Sequence, residues 1–223
     1  MKATRKKAVT ITVNNSQKYT GVGWTTNHTG KMEGMVSLST SVMKNDRCRK
    51  NAQIKGSICE KCFAERMSNL YGEKFQSKFE RNQEILTASV LPDNEIPIVN
   101  HVYARFEAFG DLNNDIQVMN YFNICYKNPQ TKFALWTKNP DYIAQAIKKG
   151  YKKPDNLQII LSSLFLNKVR RTKYDFVDKI FTVYTAEYIK ENGVEINCGA
   201  KSCFGCGLCY NKNDIRHISE KEK

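Results

Sequence analysis

The sequence predicts an α/β fold built on a mainly parallel sheet, and three observations carry that expectation. Short apolar runs of strand length alternate about six times with segments of helical periodicity. No internal repeat, low-complexity tract or Pro/Gly/Ser linker divides the 223 residues, which suit one domain better than two. The 41% hydrophobic content suffices to bury a core without crosslinks. Right-handed crossovers between consecutive strands leave two architectures open, an incomplete (β/α) barrel or an open doubly wound sheet.

The elements are expected in this order. Residues Met35 to Ser41 read as the first strand. Glu60 to Ser89 reads as helix broken near Gly72, with Phe63, Met67, Leu70, Phe75 and Phe79 at helical spacing. Ile96 to Phe106 is strand-like, and Asp111 is placed to cap a helix reaching about Lys127. Phe133 to Thr137 is the next strand. Asn139 then caps a helix with proline at its first position, ended by Gly150. Leu157 to Leu164 and Ile180 to Tyr184 have the continuous apolar character of buried parallel strands. A helix from about Thr185 ends near Gly193, and Val194 to Asn197 is read as a last strand. Residues 1–30 are then an N-terminal extension, 31–197 the β/α core and 198–223 a cysteine-rich metal-binding tail.

In such folds ligands bind at the carboxyl ends of the strands. The loop after the first strand carries Cys48, Cys59 and Cys62; the second strand ends in Arg105 to Asp111, the third in Thr137-Lys138-Asn139, and the fourth in Ser162-Ser163. These groups are expected on one end of the sheet, together with the basic run Lys168 to Lys173. The basic residues Lys148 to Lys153 precede a strand and belong at the other end.

The formal charge is +13, which favours an anionic partner such as a nucleotide or nucleic acid. A local excess also surrounds Cys48, where Lys44 to Lys55 sums to +4. Met1 to Lys7 carries four positive charges, but the apolar run Ala8 to Val13 stops at Asn14 and is too short for a signal peptide. No stretch approaches the ~18 apolar residues that span a bilayer. The expectation is a soluble protein of the cytoplasm with no membrane partner. There, clustered cysteines are more often metal ligands than disulfides.

Seven of the eight cysteines fall into two groups. Cys48, Cys59 and Cys62 form a three-thiolate set, which can hold an iron–sulfur cluster and leave one iron open. Cys198, Cys203, Cys206 and Cys209 lie within 12 residues, resemble ferredoxin-like runs and can close a cluster. Zinc ribbons usually separate two CxxC pairs by a long loop, so iron–sulfur is preferred, with zinc as the alternative. Gly199, Gly205 and Gly207 are expected to let the backbone turn around the metal. Cys125 stands alone, far along its helix, and reads as a buried unligated thiol. Arg105 could hold a carboxylate or phosphate, and Glu107 and Asp111 could do acid/base work or form a structural pair with it. The three histidines show no ligand spacing; no P-loop, GxGxxG or serine elbow occurs.

Taken together, Lys31-Met-Glu-Gly-Met-Val-Ser-Leu-Ser-Thr-Ser, Ser57-Ile-Cys-Glu-Lys-Cys-Phe-Ala, Arg105-Phe-Glu-Ala-Phe-Gly-Asp-Leu, Phe133-Ala-Leu-Trp-Thr-Lys-Asn-Pro and the Cys198 to Cys209 run resemble the bacteriophage "gene product 88" family over nearly the whole chain. That resemblance implies a phage or mobile-element protein working in the host cytoplasm and brings no settled activity. More distantly, the order of these motifs is similar to phage proteins related to spore photoproduct lyase and the radical S-adenosylmethionine (SAM) enzymes. This implies an incomplete parallel (β/α) barrel of about six strands, with a reductant as electron source. By position, Cys48, Cys59 and Cys62 would bind an open [4Fe-4S] cluster that chelates SAM and yields a 5′-deoxyadenosyl radical. Gly110 and Asp111 would meet the SAM amino group, Ser162 would lie near the ribose, and the C-terminal four cysteines would hold an auxiliary cluster. The superfamily pattern is C-x3-C-x2-C, whereas the first gap here is ten residues. The competing class is a non-catalytic, metal-stapled nucleic-acid-binding protein.

Overall fold

The computed structural model describes residues 21–222. The strands are β1 Thr25–Thr26, β2 Val36–Leu38, β3 Tyr103–Phe106, β4 Lys132–Thr137, β5 Leu157–Ser162, β6 Lys179–Tyr184 and β7 His217–Lys221. They form one open sheet in chain order, with β1 antiparallel to β2 and every later pair parallel. The sheet never doubles back to a new strand beside β1, which removes the doubly wound order. It also does not close.

The helices are α1 Asp46–Ala52, α2 Phe63–Tyr71, α3 Glu73–Ala88, α4 Asp115–Lys127, α5 Asp141–Lys148, α6 Ala186–Asn192 and α7 Cys203–Cys206. A 3-10 turn, Ile58–Lys61, precedes α2. Strand side chains alternate between faces with period two. Val36, Leu38, Ala104, Phe106, Phe133, Leu135, Leu157, Ile159 and Leu161 meet Leu86 of α3, Tyr121 and Phe122 of α4 and Ile143 of α5 in the main core. The intervening Met35, Ala134 and Ile160 form a second cluster with Tyr210 and Ile218, packed against Cys198, Cys203 and Cys209. One face of the sheet is therefore helical, and the other receives the second cysteine run. β2 and β5 are buried at every residue, and the continuous apolar character of Leu157 to Leu161 around Gln158 reflects burial on both faces.

Several boundaries differ from expectation for identifiable reasons. Asp111 does not cap α4: Asn114 does, accepting from the Gln117 amide at 2.9 Å, and the helix starts at Asp115. In the run Ile96 to Phe106 only the last four residues pair as β3; Pro97 has no amide to donate to a ladder. Its carbonyl instead accepts from the buried Asn128 side chain at 2.9 Å, whose oxygen takes the Val99 amide at 2.6 Å. The helix after Asn139 begins at Asp141 without a side-chain cap. Val194 to Asn197 is not a strand. Asn197 and Cys198 hydrogen-bond to Ser219 of β7, the edge strand inside the expected metal tail. The expected extension likewise enters the sheet as β1, while Met1 to Lys7 and Ala8 to Val13 lie outside the described residues. Gly72, at φ 71, separates α2 from α3 as expected, but Phe63 and Leu70 of α2 are exposed rather than core.

Phe106 stacks between Tyr121 and Phe133, with centroids at 4.1 and 5.1 Å. These rings join β3, β4 and α4. Phe106→Ala should cost about 3–5 kcal/mol, read as a lower midpoint in denaturant unfolding.

Candidate functional site

The first three cysteines are positioned by short capped turns. Asn45 caps α1, its oxygen accepting from the Cys48 amide at 2.9 Å while its Nδ2 donates to the Asp111 carbonyl at 2.7 Å. Ser57 caps the 3-10 turn that carries Cys59, and Cys62 is the N-cap residue of α2 with its side chain left out of the cap. The same turn docks on the loop after β5: the Ile58 amide donates to the Leu164 carbonyl at 2.9 Å, and Ser57 bridges to Phe165. Cys48, Cys59 and Cys62 line one cavity of about 360 Å³ with Gly110, Asp111 and Lys138. Cys48 thus faces the same cavity as Cys59 and Cys62 across the ten-residue gap. Among the described residues, however, no three His, Cys, Asp or Glu side chains form a group that could hold a metal ion.

An adjoining cavity of about 300 Å³ collects Cys59 and Cys62 with Arg105, Glu107, Gly110, Asp111 and Ser162, at the carboxyl ends of β3 to β5. Asp111 is buried and largely occupied. Its Oδ1 accepts from Thr137 Oγ1 at 2.5 Å and the Leu112 amide at 2.7 Å, and Oδ2 from the Lys138 amide at 2.8 Å. Of roughly four acceptor positions on a carboxylate, one remains. Gly110 is required by packing: at φ +80, an added Cβ would stand 2.6 Å from the Thr40 carbonyl oxygen. Ser162 lines the cavity without a hydrogen-bonded side-chain partner among the described residues.

Arg105 lies over the Trp136 ring with its guanidinium carbon 4.5 Å from the centroid. It makes no ion pair among the described residues. Its Nε and the Trp136 Nε1 are buried donors without an acceptor. Buried donors normally find partners, so two orphans lining one cavity fit a ligand that supplies an acceptor or a negative charge. The residues present thus fit an anionic or carboxylate-bearing ligand, and the thiols fit soft metals.

Glu107 is buried with a left-handed backbone, φ 54. Its carboxyl accepts from Gln117 Nε2 at 2.6 Å, Tyr121 Oη at 2.5 Å, Thr40 Oγ1 at 3.1 Å and the Thr40 amide at 3.2 Å. Burial pushes its pKa up to about 8, against the lowering effect of these donors. Burial also raises Cys48 and Cys59, with Lys138 opposing the shift at both. A bound cation would reverse that balance by stabilising the thiolates.

The second cysteine group is anchored differently. Cys198 hydrogen-bonds through its amide to Ser219 at 3.0 Å, and the Cys203 amide donates to the Lys31 carbonyl at 2.7 Å. Lys31 Nζ lies 3.4 Å from the Cys198 sulfur. Burial pushes Cys209 up to about 12, and Arg105 opposes this. Of the three glycines, only Gly207 has a positive φ; its added Cβ would meet Tyr103 Oη at 2.9 Å. Gly199 meets nothing within 4 Å and Gly205 only ordinary contacts, so the expected role for all three reduces to one. Cys125 is fully buried in the main core.

Sequence reasoning left Trp136, Thr40 and Arg47 out of the site and gave Lys138 a place at the ligand-binding end of the sheet without a role. Lys138 lines the two cavities above, and the signal for it was its place at the end of β4. Lys153 instead pairs with Asp178 at 2.5 Å. No described helix is long and apolar enough to cross a membrane. In comparisons with known proteins, the chain matches no family model, no curated protein and no solved structure.

Because the folded pKa of Glu107 stands above its ordinary value of 4.5, its contribution to stability is complete below that value and lost as pH rises through about 8. Melting temperatures taken between about pH 5 and pH 8.5 should therefore fall more steeply for the wild type than for Glu107→Gln. Equal slopes would show that Glu107 titrates normally.

Proposed function

We propose that this protein is an iron–sulfur enzyme resembling the radical SAM group, related to the phage "gene product 88" family and acting on an anionic substrate. Cys48, Cys59 and Cys62 would hold the open cluster, and Cys198, Cys203, Cys206 and Cys209 a closed auxiliary one. The observation that carries this reading is the meeting of Cys59 and Cys62 with Arg105, Glu107, Gly110, Asp111 and Ser162 around one cavity. The open sheet in chain order also agrees with the incomplete (β/α) barrel that the resemblance implies.

A [4Fe-4S] cluster in the first site would supply an electron for reductive cleavage of SAM. The chain's own contribution is orientation and exclusion of water. Arg105 Nε and Trp136 Nε1 offer donors to a carboxylate, and Ser162 offers a hydroxyl. Trp136 and Phe181, 4.5 Å apart, wall the cavity with aromatic surface. Glu107, its pKa raised by burial, sits away from solvent among the donors of Gln117, Tyr121 and Thr40. Arg105 stands between the two thiol sets: it lines the cavity shared with Cys59 and Cys62, and its charge opposes the burial that raises Cys203 and Cys209.

A second reading is a non-catalytic nucleic-acid-binding protein in which zinc or closed clusters hold loops. The observation favouring it is a separate cavity lined by Arg47, Lys138, Lys168, Arg170 and Arg171 but by no thiol. Anaerobic purification separates the two. The enzyme reading expects brown protein with broad absorbance and about eight irons per chain if both sites hold cubanes. Colourless protein with stoichiometric zinc supports the second reading.

With reductant and SAM, the iron-loaded protein should release 5′-deoxyadenosine, detected by chromatography. Cys59→Ala should abolish that product, and Cys125→Ala should preserve both product and iron content. Failure of iron-loaded wild type to cleave SAM would sink the enzyme reading.

A further inference from the structure

The cavity between α1 and the loop joining β5 to β6 has an unbalanced charge. Arg47, Lys138, Lys168, Arg170 and Arg171 line a space of about 510 Å³, and no carboxylate lines it. Its volume lies within the range of small-molecule sites. None of these five cations forms an ion pair among the described residues. Arg170 is half-buried, and both burial and the charge of Arg47 disfavour its protonated form; Asp111 and Asp141 act in the opposite sense from outside the cavity lining. Cations crowded in this way lack a counter-ion that a bound anion would supply.

The walls are fixed by the fold. Arg170 Nη1 donates to the Lys138 carbonyl at 2.7 Å, and the Arg170 amide to Ser163 Oγ at 3.2 Å. Asn167, at φ 59, accepts the Thr185 amide at 2.9 Å. On the cysteine side, the Ser57–Phe165 bridge pins the loop. Leu164, Phe165 and Val169 add an apolar wall, with Lys168 Nζ 5.6 Å from the Phe165 ring centre. Charge for a phosphate thus adjoins a surface suited to a planar base.

We propose that this cavity binds a single nucleoside phosphate, its phosphate among Arg47, Lys138, Arg170 and Arg171 and its base against the Leu164–Phe165 wall. Lys138 also lines both thiol-bearing cavities. The nucleotide would therefore lie beside the cysteine site, and its role as substrate rests on the enzyme reading above. Its binding does not.

The test is calorimetric titration of the as-purified protein, without SAM or reductant, using AMP, UMP, ribose 5-phosphate, inorganic phosphate and a single-stranded oligothymidylate. AMP or UMP should bind at least about tenfold tighter than inorganic phosphate, with affinity falling as salt rises. Arg171→Gln and Lys168→Gln, both at exposed positions, should each weaken nucleotide binding by about fivefold to tenfold with unchanged melting temperature. Phe165→Leu should weaken AMP and leave inorganic phosphate unchanged. Nucleotide affinity equal to that of inorganic phosphate, or unaffected by both charge variants, overturns the proposal. Oligothymidylate binding far tighter than either mononucleotide overturns it in favour of a strand-binding groove. Nucleotide binding that responds to these variants supports it even when SAM is not cleaved, and SAM cleavage without nucleotide binding leaves only the enzyme reading standing.

Discussion

The site depends on how Asp111 is buried. Its carboxylate receives the Thr137 hydroxyl and the Lys138 amide from the end of β4, and its carbonyl receives the side chain of Asn45, which caps the turn of Cys48. One residue after β3 therefore fixes the end of β4 and the start of α1. A buried carboxylate is costly unless its oxygens are bonded, so this loop has few alternative conformations. Gly110 adds a second restriction through its close approach to Thr40, whose hydroxyl also bonds Glu107. Cys48 inherits its position from this polar lattice through Asn45, whereas the turn carrying Cys59 is held by Ile58 and Ser57 against the loop after β5.

The two faces of the sheet do different work because their side chains alternate. The face bearing Phe106 and Leu135 is a helix-covered core of ordinary apolar packing. The opposite face changes character along its strands. Near β2 and β7 it buries Met35 and Ile218 under the second cysteine run, and toward the strand ends it opens into the cavity holding Arg105 and Trp136. Arg105 can serve both regions because a β3 side chain on this face projects between them. Its guanidinium is stabilised by the Trp136 ring, a contact that keeps the charge without neutralising it.

Much of this was legible in the chain. The strands Phe133 to Thr137, Leu157 to Leu164 and Ile180 to Tyr184 announced themselves as apolar runs of strand length, and each is a strand. Thr185 and Gly193 bracket α6 with a cap bond and a left-handed residue, the chemistry their side chains suggest. Placing loops at the carboxyl ends of the strands also brought Arg105, Glu107, Gly110, Asp111 and Ser162 to one cavity with Cys59 and Cys62. What escaped was set by tertiary contact. Asp111 has the composition of a helix cap, but the fold uses its carboxylate between loops and leaves capping to Asn114. His217 to Lys221 is too polar to read as a strand, yet it completes the sheet because β6 offers it a free edge. Phe63 and Leu70 have core composition and face solvent. Lys138 and Arg47 were invisible as a pair, since only folding brings α1 against the loops after β4 and β5.

The position of β7 also bears on how the second cysteine run is held. Cys198 donates its amide to Ser219, so the run is tethered to a strand that follows it in the chain. At Cys203 the tether comes from the other direction, its amide donating to the Lys31 carbonyl in the segment that leads into β2. The run is therefore clasped between an early segment and the strand that pairs with β6. Peeling β7 from β6 would open one jaw of that clasp and leave the other shut.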